Sequence, residues 1–167
     1  MRIVFLVGDA ADVFAPDFAR SVQAELQKRF PSLTTGEEAY RSEDVDVPGW
    51  GALQRRVGAA VPQVSRMEAY QAVYLPSAPP AIEPVAVANA ADPLQIGSVD
   101  ALLAELRAFA ASASLPTDDI ELMQLGAKYL EDDDLYDKDL DVQTYVQLML
   151  SARQAAARRL PLWIVPR

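Results

Sequence analysis

The chain opens on Ile3-Val4-Phe5-Leu6-Val7, a continuous apolar run rich in β-branched and aromatic residues. A run without alternation fits a strand buried on both faces. Leu162–Val165, framed by Pro161 and Pro166, has the same character at the other end of the chain. Two such strands, about 155 residues apart, predict a small sheet with helices packed against it, the last strand returning to that sheet.

Between them the apolar spacing is mostly helical. Phe14, Phe18, Val22, Leu26 and Phe30 recur every four residues, with Pro16 at the opening and Pro31 at the end. Trp50, Leu53, Val57 and Val61 line a second helix face that Pro62 ends or kinks. Residues 31–48 have no period and read as a long acidic loop, with at most a turn of helix. Tyr70–Leu75 reads as a strand and Val85–Ala88 as a short one, joined by a stiff loop carrying Pro76, Pro79, Pro80 and Pro84. Asp92-Pro93 marks a further turn.

The C-terminal half carries three helical patterns. Ser98 caps the first, with Leu102, Leu103, Leu106, Phe109 and Ala110 as its apolar face. Pro116 ends that unit. Asp118 caps the second and forms a capping-box-like pair with Glu121. Met123, Ala127 and Leu130 are expected on its inner face. Asp139 or Asp141 starts the third, whose stripe is Tyr145, Val146, Met149, Ala152 and Ala156. The expected fold is therefore α/β (or α+β). It has a small mixed sheet of about four strands, helices packed on it and a helical C-terminal half. A single domain over 1–167 is expected, with an α/β half (1–93), a three-helix half (98–160) and a closing strand (161–167).

The absences narrow the chemistry. The chain has 167 residues and neither cysteine nor histidine. Disulfides, thiolate nucleophiles, zinc sites of the usual kinds and Ser-His-Asp catalysis are excluded. A metal would have to be a hard ion held by carboxylates, namely Mg²⁺, Mn²⁺ or Ca²⁺. The apolar N-terminal run meets Asp9 too soon for a signal peptide, and no stretch approaches the roughly 20 apolar residues of a membrane span. Cytoplasmic residence is the expectation. No cofactor is expected.

The formal net charge is −9, which argues against nucleic acid or an anionic membrane as a ligand. The charge is not spread evenly. Residues 37–46 carry net −4, residues 117–141 carry net −8, and residues 142–167 carry no acid and four arginines. Residues 131–141 are the extreme, with seven acids among eleven residues. Its first acids fall at a helix C-terminus, where each negative charge is unfavourable by about 0.3–1 kcal/mol. A cation, a basic partner or arginines of the same fold would offset that cost.

Three readings of this segment compete. It is a solvated helix connection; or it binds a basic protein through Asp132, Asp133, Asp134, Asp137, Asp139 and Asp141, with Tyr136 as an aromatic anchor; or Asp137, Asp139 and Asp141 hold Ca²⁺. The Ca²⁺ reading is weakened by Val142 and Leu148, which stand where an EF-hand needs Gly and Glu. Elsewhere, Asp9 and Asp12 follow the first strand and form a second metal candidate for a Mg²⁺-dependent phosphoryl-transfer or hydrolytic enzyme. No glycine-rich phosphate loop accompanies them, and turn capping is their commoner role. Arg55 and Arg56 read as a phosphate clamp, a solvated face or partners of the 37–46 acids. Leu148-Met149-Leu150 serves either a dimer interface or the core. The functional expectation is a non-catalytic acidic binding protein, of the inhibitor or immunity type, that engages a basic protein through residues 131–141.

Overall fold

Ile3–Val7 does lie within a sheet covered on both faces. The computed structural model describes residues 1–132 and 138–167. Its elements are β1 (Arg2–Val7), α1 (Pro16–Arg29), β2 (Tyr40–Arg41), β3 (Val45–Asp46), α2 (Val47–Val57), α3 (Pro62–Ser65), β4 (Ala72–Leu75), β5 (Glu83–Val85), β6 (Leu94–Ser98), α4 (Val99–Ala113), α5 (Asp119–Glu131), α6 (Leu140–Arg158) and β7 (Leu162–Pro166). Among the described residues there are thus six α-helices and a seven-stranded mixed sheet, in the order β2-β1-β7-β4-β6-β5, with β3 also on β1. The expected α/β class holds, with more strands than the four foreseen.

The closing strand β7 fills the middle of the sheet. It is antiparallel to β1, with Val4 opposite Val165 and Leu6 opposite Trp163, and antiparallel to β4 on its other side. β4 and β6 are parallel. Alternate residues of the central strands feed two cores. Ile3, Phe5, Val7, Tyr74, Leu162 and Ile164 meet the helices α2, α4, α5 and α6. Leu6, Val73, Leu75, Ile96 and Trp163 meet α1 through Ala19, Val22 and Leu26. Each buried Val, Leu, Ile or Phe side chain among them contributes roughly 1.5–3 kcal/mol of transfer free energy. Trp163 also donates its indole N–H to the Gly8 carbonyl at 2.9 Å, and Phe14 stands edge-on against it at 5.5 Å.

Four expectations are corrected. Residues 31–48 are not one long loop, because β2 and β3 lie within them and pair antiparallel with β1. Each is only two residues long, so no alternation shows. β6, which sits between β4 and β5, has no counterpart among the expected strands. The second short strand is Glu83–Val85 rather than 85–88. It is an edge strand, which is where Pro84 is tolerated. The second helix also begins earlier than Trp50, at Val47, with Pro48 in its first turn.

A bulge between β2 and β3 shapes one end of the molecule. Ser42 donates its amide to the Phe5 carbonyl, and its hydroxyl accepts the Phe5 amide, both at 2.9 Å. The hydroxyl therefore stands in for a ladder carbonyl on β1. The next two residues, Glu43 and Asp44, leave the ladder and share a narrow crevice with Tyr129 and Leu130 of α5 and Gln143 and Gln147 of α6.

Candidate functional site

The two acid-rich segments, distant in sequence, meet at this end. The amide of Glu43 donates to Gln147 Oε1 of α6 at 3.2 Å. The crevice beside Glu43 and Asp44 is lined by Tyr129 and Leu130, just before the 131–141 segment, and by Gln143 and Gln147, just after it. Asp133, Asp134, Tyr136 and Asp137 lie outside the described residues. So does Asp137 as the first ligand of the Ca²⁺ reading.

Arginines of the same chain answer part of the negative charge. Arg56 of α2 pairs with Asp141 at 2.6 Å, and its guanidinium lies over the Phe109 ring. Of the readings for Arg55 and Arg56, an acid partner is thus found for Arg56, in the second acidic segment rather than in 37–46. Arg153 pairs with Asp119 at 2.7 Å and donates to the Thr117 carbonyl. Arg167 and Arg2 both reach Asp44. Asp139 accepts from the Tyr129 hydroxyl at 3.3 Å. Burial pushes that phenol up to about 12, and the Asp139 charge adds to the shift. Glu43, Glu121 and Glu131 make no ion pair with a described residue.

α5 is oriented differently from the expectation. Its inner residues are Leu122, Gly126 and Tyr129. Met123, Ala127 and Leu130, expected inside, face outward. Met123 is 56% exposed and Leu130 57%, and Ile120 joins them at 62%; Ala127 is exposed as well. The close α5–α6 approach explains the choice. A Cβ on Gly126 would stand at van der Waals contact, 3.4 Å, from Val146 and Gln147, so α5 lies against α6 along this face. Ile120, Met123, Ala127 and Leu130 therefore form an outward apolar row about 15 Å long, at helical spacing. It starts beside Asp118, Asp119 and Glu121 and ends beside Glu131, Asp132 and the Glu43–Asp44 bulge.

The other metal candidate takes a capping geometry. The Asp9 amide donates to Asp12 Oδ2 at 2.8 Å, and Asp9 Oδ2 accepts the Gly36 amide at 2.9 Å. A turn of 3-10 helix over Ala10–Asp12 follows. One oxygen of each carboxylate is thereby committed to backbone. Among the described residues no group of three acidic side chains converges as a metal cage. Burial raises the Asp9 pKa, with Asp12 adding to the shift and the Gly36 amide opposing it.

A residue that the sequence reading missed faces the same turn. Gln23 of α1 lines a cavity of about 320 Å³ with Asp9, Ala11, Pro16, Ala19, Arg20 and Thr35. The available signal was its position, four residues after Ala19 and three before Leu26, at the edge of the buried stripe of α1. Leu148 and Met149 are fully buried, and Leu150 packs on the same core, so that run serves the interior. No helix among the described residues is long and apolar enough to cross a membrane. No known family model, curated protein or solved structure is significantly similar to the chain.

Proposed function

We propose that this protein binds a basic protein partner, without catalysis, through the acid-rimmed outer face of α5 and the adjoining 131–141 segment. One observation carries the reading: the apolar row Ile120-Met123-Ala127-Leu130 faces outward between acids of both acidic segments. Exposed apolar rows on helices are typical recognition surfaces, and a neighbouring charged rim steers association and selects partners. Asp132, Asp133, Asp134, Asp137, Asp139 and Asp141 supply the negative field and Tyr136 further contact area; Asp141 does so net of Arg56.

The charge selects among occupants. A second copy would bring its own acids against this rim, whereas a basic segment with an apolar face meets both features. The reading is thus of an acidic inhibitor of a basic protein rather than a homodimer. No observation favours the Mg²⁺-enzyme alternative, since Asp9 and Asp12 each commit an oxygen to the backbone.

A synthetic leucine–lysine amphipathic helix is the probe, with a leucine–glutamate helix as control. The lysine helix should bind, lose affinity as salt rises, and fail to bind Met123→Glu/Leu130→Glu, whose unfolding midpoint should stay near wild type. Equal binding of both helices, or binding that survives the double substitution, would remove this reading.

A further inference from the structure

The core beneath α1 leaves a cavity of about 290 Å³ at its edge, between the start of α1 and the N-terminal ends of the parallel strands β4 and β6. Its floor is apolar, since Val22, Val87 and Leu94 are buried there. Phe14 and Phe18 form one wall. Phe14 is held edge-on against Phe18 at 5.0 Å and against Trp163 at 5.5 Å. That wall is therefore braced by the fold before any ligand arrives.

The rim is polar and open to solvent. Tyr70 and Gln71 lead into β4, and Asp92 and Pro93 lead into β6. The Gln95 amide donates to the Gln71 carbonyl at 2.6 Å, which sets these two approaches side by side. Asp92 is exposed and makes no ion pair with a described residue. Among the described residues no Lys or Arg lines the cavity. We propose that this cavity binds a small arylalkyl ammonium ion. Its aromatic body lies over Val22, Val87 and Leu94 and against the rings of Phe14 and Phe18, and its ammonium group pairs with Asp92 at the rim.

Charge decides the ligand class. A carboxylate would approach Asp92 with no cation of the lining to offset the repulsion. The net charge of −9 also enriches cations, not anions, near the surface. A neutral molecule of the same shape would keep the apolar contacts and forgo the ion pair. An exposed pair of this kind changes affinity by about two- to fivefold, so the apolar floor supplies most of the binding and Asp92 selects the charge.

Phenethylamine is the test probe, with phenethyl alcohol as its neutral match and hydrocinnamate as its anionic one. In ¹H–¹⁵N spectra of the intact protein at neutral pH, phenethylamine should move the backbone amides of Gln71, Ala90, Ala91 and Leu94 saturably. The alcohol should move the same amides but bind about two- to fivefold more weakly, and the carboxylate more weakly still. Asp92→Asn should bring phenethylamine down to the affinity of the alcohol and leave the alcohol unchanged. Asp92 is exposed, so this substitution spares the core, and the comparison of ligands on wild-type protein needs no variant to fold. Absence of saturable shifts at these amides, equal or tighter binding of the alcohol or the carboxylate, or unchanged phenethylamine affinity in Asp92→Asn would each overturn the proposal. None of these results depends on the α5 surface.

Discussion

Leu122 and Met123 are neighbours on α5, and the fold assigns them opposite fates. Leu122 is fully buried against α6, whereas Met123 is 56% exposed. Leu122→Ala removes a packed side chain and leaves a cavity, at a cost of about 2–5 kcal/mol. Met123→Ala removes a side chain that is more than half in solvent. Fully burying a Met is worth roughly 1.5–3 kcal/mol, so less than half of that is at stake here, about 1 kcal/mol at most. Ala is also the better helix former, which offsets part of the loss. Urea unfolding followed by tryptophan fluorescence measures both, since Trp50 and Trp163 are buried reporters. With equal m values, the midpoints give the difference directly. The expected gap between the variants exceeds about 1 kcal/mol. Equal losses, or a larger loss for Met123→Ala, would mean that α5 is turned by roughly 100°. The outward row would then not exist.

Four further outcomes follow from named contacts. Ser42→Ala leaves the Phe5 amide without its acceptor, so chemical denaturation should register a loss of about 1–3 kcal/mol. Gly97→Ala places a Cβ 2.5 Å from Gln63 Oε1 and 2.7 Å from the Tyr74 ring, and the forced repacking should cost about 1–3 kcal/mol in the same assay. Arg56→Ala removes a partly exposed ion pair to Asp141 and a cation–π contact; about 1 kcal/mol should be lost, and less at high salt. Asp9 has a raised folded-state pKa, caused chiefly by burial. The folded protein therefore holds that proton more tightly, and stability falls as pH rises from the unfolded carboxylate pKa through the folded one. Asp9→Asn should remove that part of the decline in denaturation midpoints measured across the acid range.

The parts of the fold legible in the sequence were those with one unambiguous face. β1, β7, α1, α2 and α4 carry clear runs or stripes, and Ser98 and Asp118 cap as expected, accepting from Ala101 and from Ile120 and Glu121. β6 was obscured by Gly97, which suits a strand poorly in isolation. The residue is needed because Gln63 and Tyr74 occupy the space its Cβ would take. β2 and β3 depend on a tertiary edge and are too short for a pattern. On α5 two apolar faces compete, 120/123/127/130 and 122/125/126/129. The larger aliphatic residues favour the first, but the small Gly126 and the hydrogen-bonding Tyr129 decide for the second. Gln23 was hidden for a similar reason, since an amide on a helix normally reads as surface. The approach of the bulge to the acidic α5 end is a property of the sheet register and leaves no local trace.

The central claim is that an acidic field beside an apolar row recruits a basic partner. Stopped-flow association of the leucine–lysine helix, measured across ionic strength, tests it most directly. Wild-type protein should associate fast at low salt and slow steeply as salt rises. Asp133→Lys/Asp137→Lys should lower the low-salt rate by about tenfold or more and flatten the salt dependence. An unchanged rate and an unchanged salt slope in that variant would contradict the account.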